Sequence, residues 1–208
     1  MNQDRVTPFG KIIPTKARGV LMGNRGVLHD VNSETEKLRW DGKRWIICLL
    51  SKSGLPEKRD PNIKYTRLFF LDEATALSAG HRPCAYCRKE AFHLFVDAWL
   101  RGNPEFGFSN DVRIEKIDSI IHEDRVTHSG EKKSFASCID DLPDGVMIEF
   151  PENTGASWLL WNGELHRWEP AGYPERRSIV AGQTVTVLTP KTIVRAITAG
   201  YTPKVALG

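Results

Sequence analysis

The chain has 208 residues, 40% hydrophobic and 26% charged, with a formal net charge of +3 and a pI near 8.7. These values exclude a disordered polyelectrolyte and a densely basic nucleic-acid binder, and no run of about 18 apolar residues is present to span a bilayer. One or two compact units of ordinary domain size are expected.

The opening stretch MNQDRVTPFGKIIP has neither a basic patch followed by a long apolar run nor a small-residue cleavage site. A secretory signal is therefore not expected, and the cytoplasm is the default location. Residues 1–16 show no clear period. In ARGVLMGNRGVLHD, Asn24 between Gly23 and Gly26 suits a tight hairpin turn joining residues 20–22 to residues 27–29. A strand is expected over residues 45–50, in RWIICLLSK, and the turn-rich KSGLPEKRDPN after it reads as an exposed loop.

A short helix fits residues 72–79, with Asp72 as N-cap and Gly80 as terminator. HRPCAYC is a tight knuckle, and Ala91, Phe92, Phe95, Val96 and Trp99 repeat at helical spacing over residues 88–100. A further helix is expected over residues 112–124, from Val112, Ile114, Ile117, Ile120 and Ile121, with Asn110 and Asp111 placed to cap it. From Leu142 the texture changes to short apolar runs between turns, Asn162-Gly163 marking a hairpin, and residues 191–199 read as a final helix. The fold class expected is α+β: a zinc-knuckle unit of hairpin and helices over residues 1–135, then a small β-rich unit over residues 136–208.

Four cysteines, Cys48, Cys84, Cys87 and Cys138, in a reducing compartment are more often ligands, nucleophiles or buried thiols than disulfide partners. Cys84-x-x-Cys87 in a turn can aim two thiolates at one ion, with the first amides of the following helix near the sulfurs. The alternative is a redox pair, but the strand that usually precedes one is replaced here by Ala79-Gly80-His81-Arg82-Pro83, which reads as a turn. Cys48, in an apolar run, is either a ligand or a small core residue.

The segment FFLDEATALSAGHRPCAYC, residues 69–87, resembles Ada-type zinc domains: an aromatic, a short helix, then Ala-Gly-aromatic-Arg-Pro-Cys-x-x-Cys. The resemblance implies a zinc ion whose first ligand pair comes from an earlier segment. Matched by position, that pair would be His29 and Cys48, joining Cys84 and Cys87, although 18 residues separate the two. In Ada a zinc-bound cysteine accepts a methyl group from a DNA phosphotriester. Three thiolates and one neutral histidine leave the site less negative than four thiolates would, and no Pro-Cys-His-Arg-type motif is present, so a structural zinc is expected in preference to methyl transfer. Over most of the chain, GNRGVLHD, WIICLL and the VLTP…AGY end also resemble an uncharacterised bacterial protein family, which implies no activity.

Arg82, Arg88 and Lys89 beside the knuckle either offset the thiolate charge or reach a phosphate. The function expected is a zinc-stabilised protein that interacts with DNA or RNA without turnover and has no membrane partner. One alternative is a metal-dependent nuclease or hydrolase using His122 and His128, in IHEDRVTH with Glu123 and Arg125; another is a protein-interaction module. The two histidines lie six residues apart, and HExxH or HNH spacing is absent. His81 and His93 read as packing and boundary residues, and Cys138 has no partner at ligand spacing. Trp158, Trp161, Trp168 and Tyr173, interleaved with Arg167, Arg176 and Arg177, either stack bases or fill a core.

Overall fold

The computed structural model describes residues 2–28, 39–51 and 65–207. Its first six strands form one sheet: β1 (Gln3–Val6), β2 (Ile12–Thr15), β3 (Leu21–Asn24), β4 (Ile46–Leu49), β5 (Leu68–Phe70) and the two-residue β6 (Arg82–Pro83), in the order β2-β1-β5-β3-β4-β6. β1 and β2 form a hairpin that aperiodic residues 1–16 did not announce. The expected hairpin about Asn24 is corrected. β3 pairs antiparallel with β4, Met22 opposite Cys48, and with β5 on its other side. The reason is local: Gly26 turns the chain at φ +91°, and the Val27 and Leu28 amides donate to the side chains of Asp41 and Thr66 instead of to a strand.

Between β5 and β6 lies α1 (Glu73–Ser78), every residue of which is buried. Asp72 caps it as expected, its Oδ1 accepting from Thr75 N at 2.8 Å and Thr75 Oγ1 at 2.7 Å. At the other end Gly80, at φ +83°, donates to Leu77 O and His81 donates to Ala76 O, a Schellman closure that turns the chain straight into β6. A Cβ at Gly80 would lie 2.4 Å from Arg125 Cδ, so the position excludes any side chain on steric as well as conformational grounds.

Two helices follow as the periodicity predicts, α2 (Lys89–Gly102) and α3 (Ile114–Arg125). Asn110 and Asp111 do not cap α3. Ser109 and Val112 close a separate turn, Val112 N donating to Ser109 O, and the cap position falls on Arg113, whose side chain makes no capping bond. The second sheet comprises β7 (Phe135–Cys138), β8 (Met147–Glu149), β9 (Ser157–Trp161), β10 (Glu164–Glu169), β11 (Gly172–Ser178) and β12 (Thr184–Val187), in the order β11-β10-β9-β8-β12-β7. Asn162 and Gly163, at φ 51° and 74°, make the expected β9–β10 turn, and α4 (Lys191–Thr198) closes the chain's regular structure.

The fold is α+β. Strands divide between the two sheets near residue 135, but the apolar core does not: Leu68, Phe70, Phe95 and Trp99 share one cluster with Ile148, Trp158, Val187 and Ile197. The C-terminal tail adds a polar tie. Tyr201 OH donates to Glu73 Oε1 at 2.7 Å, Lys204 N to Glu73 Oε2 at 3.1 Å, and Ala206 N to Asp72 Oδ2 at 3.1 Å. Arg88 meets the same Glu73 Oε1 at 2.7 Å, both side chains being buried.

Removing one partner of a buried ion pair strands the other charge. Glu73→Ala is therefore expected to cost about 3–5 kcal/mol in urea unfolding, and Glu73→Ala combined with Arg88→Leu to cost less than Glu73→Ala alone. An equal or greater loss in the double variant would show that the stranded charge is not the cause.

Candidate metal centre

Three cysteines converge. Cys48 is the third residue of β4, Cys84 follows β6, and Cys87 stands two residues before α2. The parallel β4–β6 pairing brings them together: Arg82 N donates to Trp45 O at 3.1 Å and Cys84 N to Ile47 O at 2.9 Å, carrying the knuckle to the end of β4 where Cys48 lies. Arg88 N donates to Cys84 O at 3.1 Å, winding the knuckle into α2. The three Sγ atoms all lie within 4.8 Å of one another and could hold a metal ion, the one such group of three among the described residues.

The electrostatics favour a thiolate at Cys84. Its pKa is held far below the ordinary thiol value, first by hydrogen bonds from Cys48 and Cys87, and also by backbone amides including Tyr86 N at 3.4 Å from Sγ. Cys48 is pushed far up, first by its bonding to Cys84 and Cys87 and then by burial. Among three thiols packed this closely, one sulfur takes the negative charge and the others keep protons to donate. A bound cation would release those protons, since the thiolate is the ligating form.

His29, the expected fourth ligand, lies outside the described residues. The competing candidates stand elsewhere. His81 is fully buried, its Nε2 accepting from Arg25 Nε at 3.2 Å and its ring against Phe70 and Trp45, with centroids at 4.8 and 5.2 Å, so it packs as expected. Cys138 sits in the second sheet beside Asp140.

Two of the three basic residues assigned to nucleic acid are committed to the fold. Arg82 makes a buried two-pronged bond to Asp118, both contacts at 2.8 Å, and Arg88 is bound to Glu73. Burial acts against the charge on Arg88, but the Glu73 carboxylate outweighs it and holds the guanidinium pKa up. Lys89 alone of the three is exposed. Trp158 and Trp168 are core residues, 2% and 9% exposed, and so give no base-stacking surface. Their neighbours Arg176 and Arg177 are exposed on the edge strand β11. No helix among the described residues is long and apolar enough to cross a membrane.

The two histidines of the hydrolase alternative differ in setting. His128 is exposed, whereas His122 Nδ1 lies 2.6 Å from Arg125 Nη2, with its ring against Trp40 and Trp45. Burial, then the charges of Arg125 and Lys43, lower the His122 pKa from 6.5 to about 4. Sequence reasoning missed Arg25, Trp40, Trp45 and Lys132, which gather near His81 and His122; they share no spacing, and tertiary contacts between separate segments bring them together.

The His122 shift sets a pH dependence. Above pH 6.5 the side chain is neutral folded or unfolded, and as pH falls from 6.5 towards 4 the unfolded chain takes up a proton that the folded chain refuses, so stability is lost across that window. His122→Gln is expected to lose less stability between pH 7 and pH 5 than the parent in urea unfolding; equal losses would remove His122 as the source. No family model, curated protein or solved structure matches the chain.

Proposed function

We propose that the chain is a zinc-stabilised, nucleic-acid-interacting protein that works by binding, without turnover at the metal. The observation that carries this reading is the thiol triad. Zinc–sulfur bonds of about 2.3 Å place the sulfurs of one tetrahedral site about 3.8 Å apart, within the 4.8 Å that bounds Cys48, Cys84 and Cys87. Soft thiolates select zinc over magnesium or calcium. His29 is our assignment for the fourth ligand. A site closed by four protein ligands supplies folding free energy and keeps no position for a reacting water.

The net charge of +3, exposed Lys89 beside the knuckle, and on β11 Arg177 together with Arg176, which only an exposed pair with Glu164 at 3.6 Å engages, support a phosphate-bearing partner. Arg177 is also braced, its guanidinium carbon 3.9 Å from the Phe150 ring centroid and 4.1 Å from that of Trp158. A braced guanidinium loses less rotamer freedom on meeting a phosphate.

Elemental analysis of the purified chain should find about one zinc per molecule, lost together with folded structure in Cys84→Ala. Folded protein free of metal would overturn the zinc reading. Fluorescence anisotropy with single- and double-stranded oligonucleotides should show weak binding that fades as salt rises, reduced in Lys89→Glu and in Arg176→Glu/Arg177→Glu. No binding at about 50 mM salt would overturn the nucleic-acid reading, and cleavage that disappears in His122→Ala would replace it with a hydrolase.

A further inference from the structure

A cavity of about 690 Å³ opens beside the first sheet, away from the cysteines, and its wall carries Arg25, Arg125, Lys132, Trp40 and Trp45 among apolar residues such as Leu68. Among the described residues none of these three cations has a hydrogen-bonded acidic partner. Arg25, 3% exposed, donates to Gly10 O at 2.9 Å and to the His81 ring, and its buried Nη2 has no partner among the described residues. Arg125, 2% exposed, donates to Gly80 O and Lys43 O, both at 2.8 Å, and its Nε has no partner among the described residues. Lys132 Nζ donates to Ser78 O at 2.6 Å.

Every one of those acceptors is a neutral carbonyl or imidazole. Among the described residues none of the three makes an ion pair. Asp118 and Asp124, whose charges reach Arg125 and Lys132, are engaged elsewhere, Asp118 with Arg82 and Asp124 with Thr192 at the start of α4, and Glu131, on the cavity wall, is paired with Arg39. Asp4 is the other acid on the wall. Both arginines lie over the Trp45 ring, their guanidinium carbons 4.0 and 3.7 Å from its centroid, which offsets part of the cost of burying them. An indole face does not neutralise two guanidiniums and an ammonium. Burial and the charge of Arg25 push the Lys132 pKa down to about 7, and burial pushes that of Arg25 down to about 9.

Buried cations persist when something pairs with them. We propose that this cavity binds the oxyanion of a small molecule, a phosphate or carboxylate group on an aromatic or apolar body. The unpartnered Nη2 of Arg25 is its first donor, Arg125 and Lys132 add positive potential, and Trp40 and Trp45 pack against the body. A cavity of this size suits one small molecule and not a polymer. The site requires neither the metal nor a nucleic acid, and so stands apart from the function proposed above.

Calorimetric titration and thermal unfolding of the full, metal-loaded chain with inorganic phosphate, phenyl phosphate and benzoate test the site. At least one probe should bind saturably and raise Tm, and phenyl phosphate should bind more tightly than inorganic phosphate because the ring adds apolar contact. Response to phenyl phosphate but not benzoate identifies a phosphate ligand, and the reverse a carboxylate. Lys132→Met should weaken binding about tenfold, the loss of one charge-assisted contact, and Arg25→Met should abolish it. The two are complementary, since Lys132 contributes one bond to Ser78 and its replacement leaves the Arg25 packing intact. Absence of saturable binding by all three probes, or undiminished binding in a folded Lys132→Met protein, would overturn the site.

Discussion

Glu73 is the point through which the chain's distant parts are held to one geometry. One of its oxygens takes both Arg88 and Tyr201, and the other takes the Lys204 amide. Arg88 adjoins Cys87 in sequence, so the carboxylate fixes the start of α2 and the last residue of the thiol triad. Its neighbour Asp72 caps α1 with one oxygen and receives Tyr173 OH, at 2.7 Å, and the Ala206 amide with the other. These carboxylates lie almost wholly out of water, 1% exposed each, where hydrogen bonds to charged groups are strong and leaving them unmade is costly.

The same economy explains why basic residues near the knuckle are poor guides to a partner. Arg82 and Arg88 resemble phosphate contacts in sequence, where a cation beside a metal knuckle invites that reading. In the fold they brace α3 and α1, while Arg25, Arg125 and Lys132, which no spacing links to one another, make no ion pair among the described residues. Charge counted along a chain does not separate cations that the protein has paired from those it has not; only tertiary placement does.

Legibility followed the range of the interactions. α1, α2, α4 and the β9–β10 turn were readable because their signals are local: Asp72 before a short apolar run, Gly80 after it, Phe95 and Trp99 at helical spacing, Asn162-Gly163 between apolar strands. The partner of β3 was not, because Asn24 with its glycines imitates a hairpin turn while the strand that pairs with it lies more than twenty residues on. β11 was missed since GYPERRS is an exposed edge whose charged side chains give no apolar alternation. Cys84 and Cys87 could be named from their spacing. The place of Cys48 beside them depends on the β4–β6 pairing, which two residues of strand accomplish and no pattern announces.

The tail that reaches back to α1 has a consequence for the order of folding. Tyr201, Lys204 and Ala206 satisfy groups some 130 residues earlier, at separations of 128, 131 and 134 positions. During vectorial synthesis the first sheet and the knuckle emerge long before the residues that complete the surroundings of Asp72 and Glu73. Contacts of such high contact order close late, after most of the loop entropy has been lost. Until those residues arrive, Asp72 and Glu73 lack the Tyr201, Lys204 and Ala206 donors that the folded chain supplies. Both carboxylates that order α1 thus depend, for their full set of partners, on residues at the far end of the chain.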